Sequence, residues 1–262
     1  MSDDTIELTI RDGVAHLTFN RPEAANSMNV ELARDLMYAT LTCDEDPSVR
    51  AVLLSGAGRM FSGGGDLKTF ATKGEALPHY LKELTTYLHA AVSRLTRMAA
   101  PVIAAVHGSA AGAGLSVACA ADLVLAADTA KFTVAYTRAG LVPDGSSTYF
   151  LSRIVGLRRA LELTLTNRVL SAAEAMALGI VTRVVPEASL LREAQSLAAE
   201  FAAGPTQAFA AAKRLLHSGW TGTLETQMEL ETRAIADIAR TADAREGIAA
   251  FIAKRAPAFQ GR

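Results

Sequence analysis

Apolar and polar residues alternate at Ile6, Leu8 and Ile10, and again at Leu17 and Phe19 after Asp12-Gly13. A period of two interrupted by such a turn predicts a β-hairpin. Asn20-Arg21-Pro22-Glu23 ends it in a loop, and from Val30 to Asp44 the apolar positions take helical spacing (Leu32, Leu36, Met37, Leu41). Ala51 to Leu54 is a continuous apolar run, fit for a buried strand and closed by Gly56-Ala57-Gly58. Phe61-Ser62-Gly63-Gly64-Gly65-Asp66-Leu67 is a loop of small residues. A helix is predicted from about His79 to Arg97, a buried strand over Val102 to Val106, and a helix over Leu115 to Ala121. Leu123 to Ala126 reads as a strand and Phe132-Thr133-Val134 as an edge element. Leu141 to Thr148 is a loop that ends in a helix cap. Helical patterns then cover Thr148 to Val155, Arg158 to Thr166, Ala172 to Leu178, Leu190 to Ala203, Thr206 to Ser218, Leu224 to Ala239 and Asp243 to Arg255. Val181 to Val185 is the one strand expected among them. Strand and helix alternate over the first two-thirds, the last third is helical, and no linker divides them.

The stretch with the clearest chemistry runs from Pro101 to Asp122, PVIAAVHGSAAGAGLSVACAAD. It is a buried strand, a turn with glycines at 108, 112 and 114, and an Ala- and Leu-rich helix. The first N–H groups of a helix lack internal partners, and the helix dipole makes that end partly positive. A developing oxyanion is the natural ligand, and small residues leave room for a substrate carbonyl. Three other readings fit less well. A membrane span is interrupted by Pro101, the glycines, His107 and two serines. Gly114-Leu115-Ser116-Val117-Ala118 nearly matches the G-x-S-x-G elbow, but Ser116 falls inside the helix instead of at the strand tip. Gly112-x-Gly114 lacks the third glycine and the acidic residue of a dinucleotide fingerprint. The Phe61–Leu67 loop likewise lacks the Gly-Lys-Ser/Thr ending of a phosphate loop. Two glycine loops, each after a buried strand, can supply one N–H apiece to a single carbonyl oxygen, the arrangement that enolate chemistry needs.

Composition narrows the picture. The chain of 262 residues is half hydrophobic with a formal charge of −1, which permits one large core or a core with a helical appendage. Such a balance offers no strong field for nucleic acid or anionic lipid. Cys43 and Cys119 sit in apolar helical contexts, so neither a metal site nor a disulfide framework is expected. MSDDTIE is acidic and polar, unlike a signal or transit peptide, and a cytoplasmic location is expected.

Several of these stretches resemble the crotonase (enoyl-CoA hydratase/isomerase) superfamily. They are Asn20 to Asn29 (NRPEAANSMN), Phe61 to Leu67, Pro101 to Gly108, Ala111-Gly112-Ala113-Gly114, Ala121-Asp122, Gly140-Leu141-Val142-Pro143, and Arg245-Glu246-Gly247 with Phe251 and Lys254-Arg255. The resemblance spans essentially the whole chain. It implies an α/β fold, a spiral of β-β-α units over residues 1–195 with a C-terminal helical trimerisation region over 196–262. It further implies a homotrimer, often stacked to a hexamer, an acyl-CoA substrate, and no cofactor beyond that coenzyme A. By position, the oxyanion-hole N–H groups belong to Gly65 and Ala113. The CoA thioester lies along Glu23, Ala24 and Ala25 and from Gly63 to Leu67, with Phe251 and Lys254 reaching the CoA of a neighbouring subunit.

Departures from the hydratase pattern carry information. Hydratases place one glutamate three residues after the second oxyanion-hole residue, where this chain has Ser116. Their second glutamate matches Tyr136. What the chain offers instead is Asp144, after Val142-Pro143, where some isomerase and dehalogenase members carry a catalytic aspartate. The combination looks most like the epoxyphenylacetyl-CoA isomerase and enoyl-CoA isomerase branch. One carboxylate suffices for a 1,3-proton shift, and burial in an acyl pocket raises its pKa toward the useful range. The alternative role for Asp144 is a plain helix cap. Asp66, counted among the CoA-binding residues, is expected to anchor its own glycine loop through backbone N–H groups. His107 is expected to satisfy local backbone, and Ser116 and Tyr136 to line the acyl pocket. The expected activity is an acyl-CoA isomerase. A hydratase or thioester hydrolase is the alternative, and a binding protein that keeps only the fold is a third.

Overall fold

The computed structural model describes residues 5–262, so the acidic stretch at Met1 to Asp4 lies outside the described residues. The hairpin forms as its pattern requires: β1 (Ile6–Arg11) pairs antiparallel with β2 (Val14–Phe19), Arg11 opposite Val14. Asp12 and Gly13 both take positive φ (52° and 79°), the conformation that turns a right-twisted pair in two residues. β2 is followed by α1 (Val30–Glu45), capped by Asn29, whose side chain accepts from the Leu32 N–H. Next come β3 (Ala51–Gly56), a short α2 (Leu67–Ala71), and α3 (Leu77–Arg97). Pro78 sits in the first turn of α3, where its missing N–H has no helical partner to lose, so the helix begins two residues before the expected His79.

β4 (Val102–Val106) is buried at every position and occupies the middle of a six-stranded sheet. After β5 (Ser109–Ala111) and α4 (Ala113–Ala120) come β6 (Leu123–Ala127) and β7 (Lys131–Thr133). The main sheet runs β1-β2-β3-β4-β6-β9, parallel throughout except for the hairpin, with β9 (Arg183–Val185) at its far edge. A second sheet, β5-β7-β8, uses β8 (Leu170–Ser171) as its antiparallel edge. Neither β5 nor β8 was expected: three small residues and a dipeptide carry no hydrophobic period.

α5 (Ser147–Val155), α6 (Leu157–Thr166) and α7 (Ala172–Ala177) lead to β9. α8 (Leu190–Ala202) lays buried Leu190, Ala194, Ala198 and Ala202 against the main sheet. The boundary expected at 195/196 therefore falls inside a helix that belongs to the core. α9 (Thr206–Ser218) follows, anchored by Lys213, whose Nζ donates to Asp122 Oδ2 (2.7 Å) and the Leu95 carbonyl (2.8 Å). α10 (Leu224–Ile238) buries no residue, and α11 (Ala242–Ile252) leaves Phe251 84% exposed. Among the described residues, no helix is long and apolar enough to cross a membrane.

The expected cap at the start of α5 is absent. Ser146 holds the cap position in a left-handed conformation (φ 71°), which turns its Oγ away from the first-turn N–H groups. Among the described residues, that buried Oγ has no hydrogen-bond partner.

Candidate active site

The two glycine loops are stitched together by backbone. Phe61 N–H donates to the His107 carbonyl and Ser62 N–H to that of Ser109, while Ala111 N–H returns to Ser62 (each 3.0 Å). On the other side, Met28 N–H donates to the Gly64 carbonyl and Asp66 N–H to that of Met28. Successive residues of an extended chain point opposite ways, so the N–H of Gly65, lying between those two bonds, faces away from Met28. α4 begins at Ala113, two residues earlier than its apolar run suggests, because Gly112 takes φ 50° and ψ −122°, a conformation reserved for glycine. Ala113 N–H is then a first-turn donor. Among the described residues, neither Gly65 N–H nor Ala113 N–H has a hydrogen-bond acceptor in the protein. The loops approach so closely that a Cβ on Gly64 would stand 2.8 Å from the Ala111 carbonyl oxygen.

Both donors open into a cleft of about 280 Å³ whose walls include Phe70, Leu81, Leu84 and Leu141. Tyr136 and Asp144 line it too, and among the described residues Asp144 is its only carboxylate. Tyr136 Oη donates to Asp144 Oδ1 at 2.5 Å. Ser116 Oγ lies 3.0 Å from Tyr136 Oη and 3.0 Å from the Asp144 carbonyl oxygen. Burial lifts the Asp144 carboxyl above the ordinary aspartate range, while the Tyr136 hydroxyl and the nearby His89 imidazole pull against that rise. Burial and the neighbouring carboxylate push the Tyr136 phenol well above its ordinary value, so it acts as a donor. His89 Nε2 lies 3.2 Å from the Gly145 nitrogen and accepts its N–H. A second, larger cavity lies on the other side of Asp144 and is bordered by His89, Arg97, Arg214 and His217.

Not every residue singled out from sequence reaches the cleft. Gly63 and Leu67 line it with Gly65 and Ala113. Ala25 lies behind Gly63, its carbonyl accepting the Gly63 N–H, whereas Glu23 is exposed and Ala24 half-buried nearby. Ser116 is completely buried and stands behind Tyr136, a support for the acidic pair and not part of the acyl wall. Asp66 does not anchor its own glycine loop. Its Oδ1 caps α2 by accepting the Thr69 N–H, and its Oδ2 pairs with Arg21 at 3.1 Å. Burial opposes its ionisation, but Thr69 and the Arg21 guanidinium outweigh this and hold the carboxyl below its ordinary range. His107 Nε2 lies 3.0 Å from the Gly58 carbonyl, a local backbone contact. Phe251 and Lys254 are exposed near the end of the chain and contribute nothing to the cleft wall of this subunit.

Sequence reading passed over His89 and Lys82 on α3. Both sit beside the apolar stripe Leu81, Leu84 and Leu88, and the spacing shows a buried face without telling core from cleft.

The whole chain finds counterparts. The enoyl-CoA hydratase/isomerase family matches residues 9–262. The 1,2-epoxyphenylacetyl-CoA isomerase of Escherichia coli is 40% identical over 97% of each chain. A Rhodobacter capsulatus protein that carries the name probable enoyl-CoA hydratase is 39% identical, with 100% of both chains covered. The crystal structure of an enoyl-CoA hydratase from Polaromonas sp. is similar with a TM-score of 0.93 at 32% identity, over 97% of this chain and 99% of that one. On matches of this extent, the chain belongs to the enoyl-CoA hydratase/isomerase family and is an enzyme of the crotonase fold that acts on acyl-CoA thioesters.

Proposed function

We propose that the enzyme is an acyl-CoA isomerase that moves a double bond, or rearranges an epoxide, beside the thioester. The observation that carries this reading is Asp144, a desolvated carboxylate sharing one cleft with two uncommitted backbone N–H groups. With a 3-enoyl thioester, the Asp144 carboxylate takes a proton from the carbon next to the carbonyl. The electron pair of that C–H bond becomes the new double bond of a dienolate. Its charge sits on the thioester oxygen, held by Gly65 and Ala113 N–H. The same carboxyl then returns the proton to the far carbon of the dienolate, and the product is the conjugated 2-enoyl thioester. Acid and base are one group, and no cofactor enters the cycle. Hydration would need a further group to activate water. The two positions at which hydratases carry glutamates hold buried Ser116 and the donor Tyr136, which supports isomerisation.

A panel of CoA thioesters analysed by mass spectrometry tests this directly. Conversion without change of mass is expected. A gain of one water would mean hydration, and release of free CoA would mean hydrolysis.

The assembly belongs to the same reading. Leu224, Met228 and Ile235 fall on one face of α10 and are all exposed, so large apolar side chains on that face are left uncovered by the described residues of this subunit. We infer that this face packs between subunits in a trimer or hexamer, which would also bring Phe251 and Lys254 to a neighbour's CoA. Sedimentation at micromolar concentration is expected to give three or six chain masses. The mass of one chain would refute it.

A further inference from the structure

We propose that Tyr136 is a positioning residue for Asp144: its hydroxyl commits Oδ1 and leaves Oδ2 as the one oxygen that carries the proton. The inference rests on the reading of Asp144 as acid and base, and deepens it.

The first observation is geometric. Tyr136 Oη stands 2.5 Å from Asp144 Oδ1, at the short end of the range for a hydroxyl–carboxylate bond, which is charge-assisted. A carboxylate free at both oxygens can offer either to the substrate and can rotate between them. Here one oxygen is taken, and the phenol, held protonated by burial and the neighbouring charge, has its only proton in that bond.

Backbone conformation supplies the second, independent observation. Ala135, directly before Tyr136, lines the cleft at φ 58°, in the left-handed region that residues with a Cβ seldom adopt. Strain of this kind persists only where the surroundings enforce it. Here the residue it delivers is fixed on both sides: Tyr136 N–H donates to the Val134 carbonyl at 2.8 Å, and its own carbonyl accepts from Ala139 and Leu141 at 3.0 and 3.1 Å. The phenol is therefore aimed by the main chain.

Ser116 completes the arrangement. Completely buried on α4, it has one hydroxyl proton for three nearby acceptors: Tyr136 Oη, the Asp144 carbonyl and the Gly112 carbonyl. Donation to Tyr136 Oη polarises the phenol and strengthens the next bond in the chain, that to Asp144. The position has little slack, since a Cβ on Gly145 would meet that of Ser116 at 3.0 Å. Glutamate is absent from both positions, and together they hold one carboxylate in place.

A pH profile separates positioning from simple packing. The titratable and charged groups that face Asp144 are Tyr136 itself, His89 and Lys82 of α3, and, along the rear cavity, Arg97 of α3, Tyr149 of α5, and Arg214 and His217 of α9. Of these, among the described residues, only Tyr136 donates a hydrogen bond to the carboxylate oxygens. Its donation favours the anion, so its loss raises the Asp144 pKa, and the rise of kcat/KM with pH moves to higher pH. A hydrogen bond to a charged group is worth about 1.5–3 kcal/mol, so Tyr136→Phe should move this acid limb up by about one to two pH units. Below the limb the variant should lose about ten- to a hundredfold in kcat/KM, and most of that should return on the alkaline plateau. Ser116→Ala, which leaves the phenol bonded but unsupported, should move the limb the same way by less.

The carboxyl can also be followed without any turnover, by NMR of protein labelled at the aspartate carboxyl carbons, with the Asp144 signal identified by its absence in Asp144→Asn. If the NMR titration moves up in Tyr136→Phe although no thioester is isomerised, positioning stands and the isomerase reading falls. If isomerisation is seen but Tyr136→Phe lowers the rate equally at every pH, with the Asp144 titration unmoved, positioning is overturned. An upward shift in Ser116→Ala larger than that in Tyr136→Phe would overturn it as well.

Discussion

Asp144→Asn is expected to lower kcat by about a hundred- to ten-thousandfold, the usual worth of one general acid/base. The amide keeps the shape of the carboxyl, and its oxygen can still accept the Tyr136 hydroxyl. The thioester can still enter the cleft and meet the N–H groups of Gly65 and Ala113, so KM should change little, as expected when a group acts only in the transition state. Ser116→Ala is expected to cost less than about tenfold at a pH above the acid limb, because Ser116 acts through Tyr136 and moves no proton to carbon. The pH dependence has a definite sign. The base must be ionised to begin the cycle, and burial raises its pKa, so activity should fall as pH drops through a value above the ordinary aspartate range. Absorbance of the conjugated 2-enoyl product from a 3-enoyl-CoA measures all of this. Near-native kcat in Asp144→Asn together with an inactive Ser116→Ala would make the catalytic assignment wrong.

Much of the architecture is visible in the residue pattern because it rests on local periods. The hairpin at Asp12-Gly13, β4 over Val102–Val106 and α9 over Thr206–Ser218 follow from alternation, a short apolar run and helical spacing. Elements too short to show a period escape. β5 is Ser109–Ala111, and only its pairing with β7 and its link to Ser62 make it a strand. The five-residue α2 escapes similarly, although Asp66 ahead of it is a good cap. With α2 in place, the Asp66 carboxylate takes the Thr69 N–H ahead of it instead of the loop behind it. The site shows the same division. Glycines and a Pro-Asp pair can be read along the chain, but what faces what cannot. α4 is buried on all sides, so no polar face reveals that Ser116 points at Tyr136. His89 reaches the site only because α3 passes beside the loop at Gly145, fifty-six residues further along.

The glycine loops yield the second large expectation. Gly64 has φ 95°, where a residue with a Cβ is strained, and the new Cβ would stand 2.8 Å from the Ala111 carbonyl oxygen and 3.3 Å from the Gly112 Cα. The obstacle is backbone, which cannot rotate aside as a side chain can, so in Gly64→Ala the two loops must part. The bond between Met28 N–H and the Gly64 carbonyl must then adjust, and with it the direction of the Gly65 N–H next in the chain. Ala113 follows Gly112 on the opposite loop, so both donors lose their common aim. Misplacing one oxyanion donor is worth about a hundred- to a thousandfold in kcat, and Gly64→Ala should lose at least that. A contrast comes from Gly74→Ala, where the glycine also has positive φ (51°) but a Cβ meets nothing within 4 Å. It shares the backbone strain and lacks the clash, so its kcat should stay within about threefold of native, since surface changes away from such contacts seldom exceed about 0.5 kcal/mol and strain at one residue adds only modestly. Circular dichroism of both variants confirms that they fold, and the turnover of a 3-enoyl-CoA gives the comparison. Equal kcat in the two variants would mean that the approach of the loops does not set the position of the donors.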